Sequence, residues 1–409
     1  MREKKASLGS IYFVIFLDML GFGTLIPVIR DFTKLLIENS KMDTVHFATY
    51  SGILMSTYSI FQFIFAPMLG RLSDRYGRRP VLLFSVFGNV ISYFIWAISN
   101  SFWLFLISRV ISGATGGNIS VAQSYIADVT TRENRAKAMG LMGAIFGLGF
   151  ILGPFLGGVL SNIDISHVSI FGIPFNRFSM IGIFTMGLSI INLVWLLWKV
   201  AEPEVKRPKF QSLRQLINPA VLLKEFRNPD LGKLFLINFL LSIAFVHLES
   251  TLSWDLLDRF KLDTENTGYF FAYLGIIMVI VQGGIYRRFA KTGKEVSLTH
   301  FGLALTALML LLIPFSYPLA LMMVTIALLA LGMGFANPSI TALISLRASE
   351  TEQGLSLGIS QSFGSLARVL APVTATALYD NLSHSAPFLS AGGFALTAFL
   401  IALTLKKES

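Results

Sequence analysis

Apolar residues run along this chain in blocks of about 20, broken by short polar links, with no strict alternation of apolar and polar positions. A helix needs about that length to cross hydrocarbon. Windows of about 19 residues place six spans at about 8–29, 48–69, 80–99, 103–126, 137–160 and 177–198. Six more lie at about 233–255, 267–286, 296–315, 318–343, 355–378 and 386–405. Hydrocarbon cannot solvate a backbone, so only helices or closed barrels cross it. A barrel would alternate outward and inward residues, which these blocks do not. The expected fold is an all-α membrane protein with twelve transmembrane helices.

Composition sharpens this. Of 409 residues, 54% are hydrophobic and only 14% charged, where soluble domains carry roughly 25%. The net charge of +10 does not imply nucleic acid, because the basic residues gather in alternate links. The 71–79 link holds four Arg against one Asp, 199–233 holds eight Lys/Arg against four acids, and 287–295 holds four against one. The links at 99–102 and 314–318 carry no charge, and 255–265 is net acidic. The positive-inside rule then puts both termini and 199–233 in the cytoplasm. The expected location is the bacterial inner (plasma) membrane.

The N-terminus carries Arg2, Lys4 and Lys5 before an apolar run. That run is too long for a signal peptide and lacks a small-residue cleavage site, so it is taken as a retained span. With no cysteine, disulfides, thiolate catalysis and cysteine metal sites drop out. The five histidines form no ligand pair at helical spacing. No nucleophile–base pair or Walker loop occurs, and Gly147-x-Gly149 follows no strand. No enzyme activity, metal or cofactor is expected, and ATP is not the expected driver.

The expected domains are a bundle at 1–198, a cytoplasmic linker at 199–232 and a bundle at 233–409. Pro203, Pro208, Pro219 and Pro229 stand in or beside the linker. It reads either as a tether or as an amphipathic helix near Gln211–Phe226 lying on the membrane. The bundles read as diverged repeats. A shift of 218 residues carries Gly140-Leu141-Met142 onto Gly358-Ile359-Ser360 and Pro154 onto Pro372. A shift of 213 carries Gly70 onto Gly283 and Arg75 onto Arg288. Parallel six-helix repeats with a site between them are a transporter architecture.

Gly70, Asp74, Arg75, Gly77, Arg78 and Arg79 complete the pattern Gly-x-x-x-Asp-Arg-x-Gly-Arg-Arg between spans two and three. Gly70 allows close helix approach and Gly77 a tight turn. Asp74 can accept a helix N-terminus or an arginine from the other half, forming a cytoplasmic latch. In span five, Gly149, Gly153, Pro154, Gly157 and Gly158 make a smooth packing face with a proline bend.

These motifs resemble those of the major facilitator superfamily, the second resembling its proton-coupled drug-efflux antiporters. Arg109 within Leu106–Gly113, the Ala127-Asp128-Val129-Thr130 link through Arg135, Leu17–Gly23 and Ile26-Pro27 resemble tetracycline/proton antiporters and relatives. The second half departs from the motifs. Arg287 and Ala290 replace Asp74 and Gly77, and Ala371 and Ala375 replace Gly153 and Gly157.

Charges within spans are costly and therefore functional candidates. Here they are Asp18, Arg109, Glu249 and Arg368. A carboxylate favours its neutral form when dry and its charged form beside an arginine, so Asp18 and Glu249 are candidate proton carriers. Arg109 reads as an ion-pair partner or a helix clamp. Arg368 could pair with Glu249 or neutralise an acidic substrate. His247 reads as a packing residue.

Polar stripes suggest a cavity. Arg109, Ser112, Gly116, Ser120 and Gln123 share one spacing, as do Asn238, Ser242, Glu249 and Ser253. Gln361, Ser365 and Arg368 form another, and Ser51, Tyr58 and Gln62 a fourth. Asn118 joins the cavity candidates, and Phe22 and Phe245 could add apolar lining.

The resulting expectation is a monomeric secondary transporter with small-molecule substrate, protons and bilayer as partners, and no nucleic acid. It would export amphipathic or drug-like compounds in exchange for protons. The alternatives are a symporter or facilitator of a sugar or organic acid, or a transport-inactive sensor.

Overall fold

The structure, a computed structural model, describes residues 8–130, 132–170, 172–203, 229–289, 294–348 and 353–405. The suggested helix at Gln211–Phe226 lies outside these residues. The chain divides into two compact units, Met1–Gln211 with Leu262–Ala272, and Ser212–Lys261 with Tyr273–Ser409.

The first unit holds α1 (Leu8–Gly23), α2 (Ile29–Asn39), α3 (Phe47–Tyr76), α4 (Arg78–Ala97), α5 (Phe102–Thr115), α6 (Asn118–Val129), α7 (Arg132–Leu160) and α8 (Ser179–Lys199). The second holds α9 (Pro229–Phe260), the part of α10 (Thr264–Ile280) from Tyr273 onward, a π turn (Val281–Ile285) and α11 (Tyr286–Phe289). It continues through α12 (Glu295–Leu312), a 3-10 turn (Ile313–Phe315), α13 (Leu319–Arg347), α14 (Gln353–Asn381) and α15 (Ala386–Ala402). Among the described residues, seven helical runs are long and apolar enough to cross a membrane, one of them α5 together with α6 and another α12 together with its 3-10 turn.

The twelve expected spans map onto these helices with local differences. The first ends at Gly23, where a turn leads into α2. Phe32, Leu36 and Ile37 on α2 are buried in one core with Trp96, Phe105 and Phe178, and Asp31 accepts a hydrogen bond from Thr264 at 2.9 Å. Span four is two helices, because α5 stops at Thr115 and α6 begins at Asn118. Side chains on Gly116 and Gly117 would meet Tyr58 Oη at 3.0 Å and Ala66 Cα at 2.6 Å. The charged link 71–79 is mostly helix. Only Gly77, at φ +109°, separates α3 from α4. One departure from all-α is a two-residue hairpin, Ser169–Ile170 against Ile173–Pro174.

The expected repeat appears as shared packing. In the first unit α1 packs on α7, α4 on α8, and α3 on α5. In the second, α9 packs on α14 and α12 on α15. Both α7 and α14 carry an internal proline, Pro154 and Pro372. The first-unit contact is the tighter. A Cβ at Gly153 would stand 2.7 Å from Gly23 Cα, and one at Gly157 would overlap the Thr24 carbonyl oxygen. Gly158 faces Gly268 at the start of α10, which belongs to this unit; a Cβ there would stand 2.9 Å from Gly268 Cα. Ala371 and Ala375 are buried on α14.

Overpacking a close helix contact costs about 1–3 kcal/mol. Gly157→Val is therefore expected to lower the melting temperature of the purified protein clearly. Gly147→Ala, whose Cβ meets nothing within 4 Å, should leave it unchanged. Equal effects from the two would count against the packing account.

Candidate transport site

Hydrocarbon gives a carboxylate no partner, so any acid inside a span must be held by neighbouring helices. Asp18 on α1 is only 4% exposed. Asn89 on α4 donates to its Oδ1 at 2.8 Å, and Thr115 at the end of α5 donates to Asn89 Oδ1 at 3.0 Å. This relay crosses three helices. The second oxygen, Asp18 Oδ2, has no hydrogen-bond partner. Buried Asn118, at the start of α6, reaches toward the same carboxylate without direct hydrogen-bond geometry. One oxygen is thus fixed and the other is left for a proton or a polar ligand group.

Arg109 on α5 is 1% exposed. Its guanidinium lies 4.8 Å from the Trp96 ring centre and 4.7 Å from that of Phe105. It donates to Ser108 Oγ at 3.3 Å, and among the described residues it forms no ion pair with a carboxylate. Aromatic faces attract a desolvated cation by about 2 kcal/mol or more. This geometry favours the clamp reading over the ion-pair reading. Buried Tyr93 on α4 is within electrostatic reach of both Asp18 and Arg109, and its hydroxyl occupies the space a Gly21 side chain would take.

The remaining first-unit candidates divide. Gln62 donates to Tyr58 Oη at 3.0 Å and to Gly116 O at 3.0 Å, and the Tyr58 ring lies 5.4 Å from Phe22. The break at 116–117 interrupts the expected stripe from Arg109 to Gln123. Ser112 is buried, and Gln123 is half-buried. Ser120 donates to Ala66 O at 3.1 Å and Gly117 O at 2.9 Å, so it serves helix packing.

In the second unit, α9 and α14 share a polar seam. Asn238 donates to Ser360 O at 3.0 Å. Ser242 Oγ lies 3.7 Å from where a Gly364 Cβ would be. Glu249 is 4% exposed, and its Oε1 has no hydrogen-bond partner. Arg368, half-buried on α14, donates to Ser365 Oγ at 3.3 Å. Gln361 is exposed on the same helix. His247 is buried, with Nδ1 3.0 Å from Ile243 O and its ring against Phe394 at 5.6 Å. The stripes expected on α9 and α14 therefore face each other.

The gate motif is centred on Arg78. Its side chain pairs with Asp74 at 2.5 Å and Asp128 at 2.9 Å, and donates to Ser73 Oγ at 2.6 Å. Asp74, near the end of α3, is thus engaged by the arginine that opens α4. Arg75 lies over Tyr76, and Gly70 faces Ser120. Glu202, which sequence reasoning missed, accepts from the backbone N–H of Arg78 at 2.7 Å and of Arg79 at 2.8 Å. Those are orphan donors of the α4 N-terminus. Arg79 donates to Leu197 O at 2.9 Å. A Gly77 side chain would strike Glu202 Oε1 at 2.6 Å. Part of the counterpart link, 290–293, lies outside the described residues.

The family profile described as Major Facilitator Superfamily matches residues 8–316 and 292–409. The chain belongs to this family. It is a multi-pass membrane transporter and no enzyme, and the family fold accounts for twelve spans with α2 lying outside them. Major facilitator superfamily domain-containing protein 10 of Mus musculus is 30% identical over 87% of this chain and 79% of its own length. The class G tetracycline resistance protein of Vibrio anguillarum is 32% identical over 90% of this chain and 88% of its own. The crystal structure of the human organic anion transporter MFSD10 (TETRAN) matches with TM-score 0.70 and 26% identity, covering 98% of this chain and 100% of that one.

Removing the donor from a buried charged acceptor costs about 1–3 kcal/mol or more. In this major facilitator transporter, Asn89→Ala should therefore lower thermal stability. Adding Asp18→Asn should recover part of the loss, since the charge no longer needs the donor. Additive losses in the double variant would show that the two side chains do not interact.

Proposed function

We propose that this transporter exports small amphipathic organic compounds in exchange for protons, by alternating access. Asp18 carries the reading. It is a buried carboxylate with one oxygen fixed by Asn89 and the other unpartnered. Such a group exchanges a proton when its access to water alternates between the two sides. Glu249, buried with Oε1 unpartnered, is the second proton carrier. The names of two relatives, a tetracycline resistance protein and an organic anion transporter, support an organic substrate. The Phe22–Tyr58 pair beside Gln62 suits an aromatic substrate.

The arginine-rich links and both termini face the cytoplasm in this reading. The Asp74–Arg78–Asp128 cluster with Glu202 then holds the cytoplasmic ends of α3, α4 and α6 together, and rearranges as the carrier opens. A symporter or facilitator of a defined metabolite is the second reading. The buried carboxylates favour a proton-coupled carrier over simple facilitation.

Proteoliposomes with an imposed pH gradient test the exchange. Wild-type protein should drive substrate against its concentration gradient, opposite to proton flow. Asp18→Asn should retain binding but lose the dependence on the gradient. Wild-type flux that ignores the gradient would sink the antiport reading.

A further inference from the structure

A cation sealed in the core of the first unit has few acceptors. Arg109 on α5 is 1% exposed, and Trp96 on α4 is fully buried. The guanidinium carbon lies 4.8 Å from the Trp96 ring centre and 4.7 Å from that of Phe105. A pair of serines holds the two helices together beside this contact. Ser92 Oγ donates to Ser108 O at 2.9 Å, and Ser108 Oγ donates to Ser92 O at 2.9 Å. Trp96 and Phe105 share their buried cluster with Phe32, Tyr93 and Phe178.

The rings attract the cation through their faces. They do not serve its edge, where a guanidinium carries five N–H donors and no acceptor. Among the described residues its hydrogen bond is to Ser108 Oγ at 3.3 Å, its Nε has no partner, and it forms no ion pair with a carboxylate. Trp96 Nε1, also a donor and never an acceptor, is buried without a hydrogen-bond partner. Two donor-only groups in contact cannot satisfy one another. A water would accept from them but leave the charge uncompensated, and it would bring its own hydrogens into an apolar cluster. An anion supplies both the acceptor and the opposite charge.

We infer that Arg109 and Trp96 form a binding site for a chloride ion, which accepts from the guanidinium edge and the indole N–H. Both side chains are sealed from solvent among aromatic rings, so the site suits a small spherical anion and not the acidic group of an organic molecule. The ion ties α4 to α5, the helices that carry Asn89 and Thr115 of the Asp18 relay. Chloride is thus a structural co-ion of the first unit, separate from substrate and proton, and the site stands whether or not the exchange reading holds.

Thermal melting of the purified full-length transporter tests this in sodium chloride, bromide or gluconate at constant ionic strength. Chloride and bromide should raise the melting temperature along a saturating curve, as a ligand of the native state does. Gluconate, an organic anion of the same charge, should not. Trp96→Phe keeps a ring against the guanidinium and removes the N–H, so it should weaken the apparent chloride affinity about tenfold, the loss of one hydrogen bond to a charged group. Arg109→Gln should abolish the halide response. Crystals of the wild-type protein grown in bromide should show an anomalous peak between the two side chains, a reading that needs neither variant to fold. Equal melting in chloride and gluconate, a halide response unchanged in Trp96→Phe, or bromide bound only at other places would overturn the inference.

Discussion

Hydrocarbon offers a carboxylate neither water nor counter-ion, so Asp18 persists in α1 because α4 brings Asn89 within 2.8 Å and α5 orients that amide through Thr115. Three helices must hold their rotations for one acid to be tolerated. The hydrogen bonds satisfy one oxygen and leave the other unpartnered. Static pairing would be expected to satisfy both, since a half-satisfied buried group is costly. The second unit handles the same problem differently, burying Glu249 without a donor on Oε1. The first unit keeps its own buried arginine in an aromatic cage.

Close backbone approach sets where these groups can stand. Gly149, Gly153 and Gly157 let α7 lie against α1 with little between the backbones, which fixes the rotation of the helix bearing Asp18. The corresponding α14 has alanines at the last two positions, and its contact with α9 is lined by Asn238, Ser242 and Glu249 instead. The repeat therefore preserves which helices touch and varies what fills the contact. Close backbone contact in the first unit and a polar seam in the second give one architecture two different helix contacts.

The spans were legible in the sequence because runs of about 20 apolar residues leave few alternatives. The gate and glycine motifs were legible because a tight turn and close helix contact demand glycine at fixed positions. What escaped depends on how helices face one another. Asn89 and Glu202 lie far in sequence from the groups they serve, 71 residues from Asp18 and 124 from Arg78. Glu202 was countable as the first acid after span six, but no spacing rule ties it to the α4 N-terminus. The stripe through Arg109 assumed a continuous helix, which Gly116 and Gly117 interrupt. Helix α2 was missed because its apolar face alternates with Arg30, Asp31, Lys34 and Glu38, which keeps it out of a hydropathy window.

The account depends on Asp18 and Glu249 gaining and losing protons inside the protein. Infrared difference spectra of the purified transporter, recorded between acidic and alkaline pH, report buried carboxyl groups directly through their protonated C=O stretch. The account predicts two such bands, one absent from Asp18→Asn and the other from Glu249→Gln. Spectra in which both variants keep every wild-type band would contradict it.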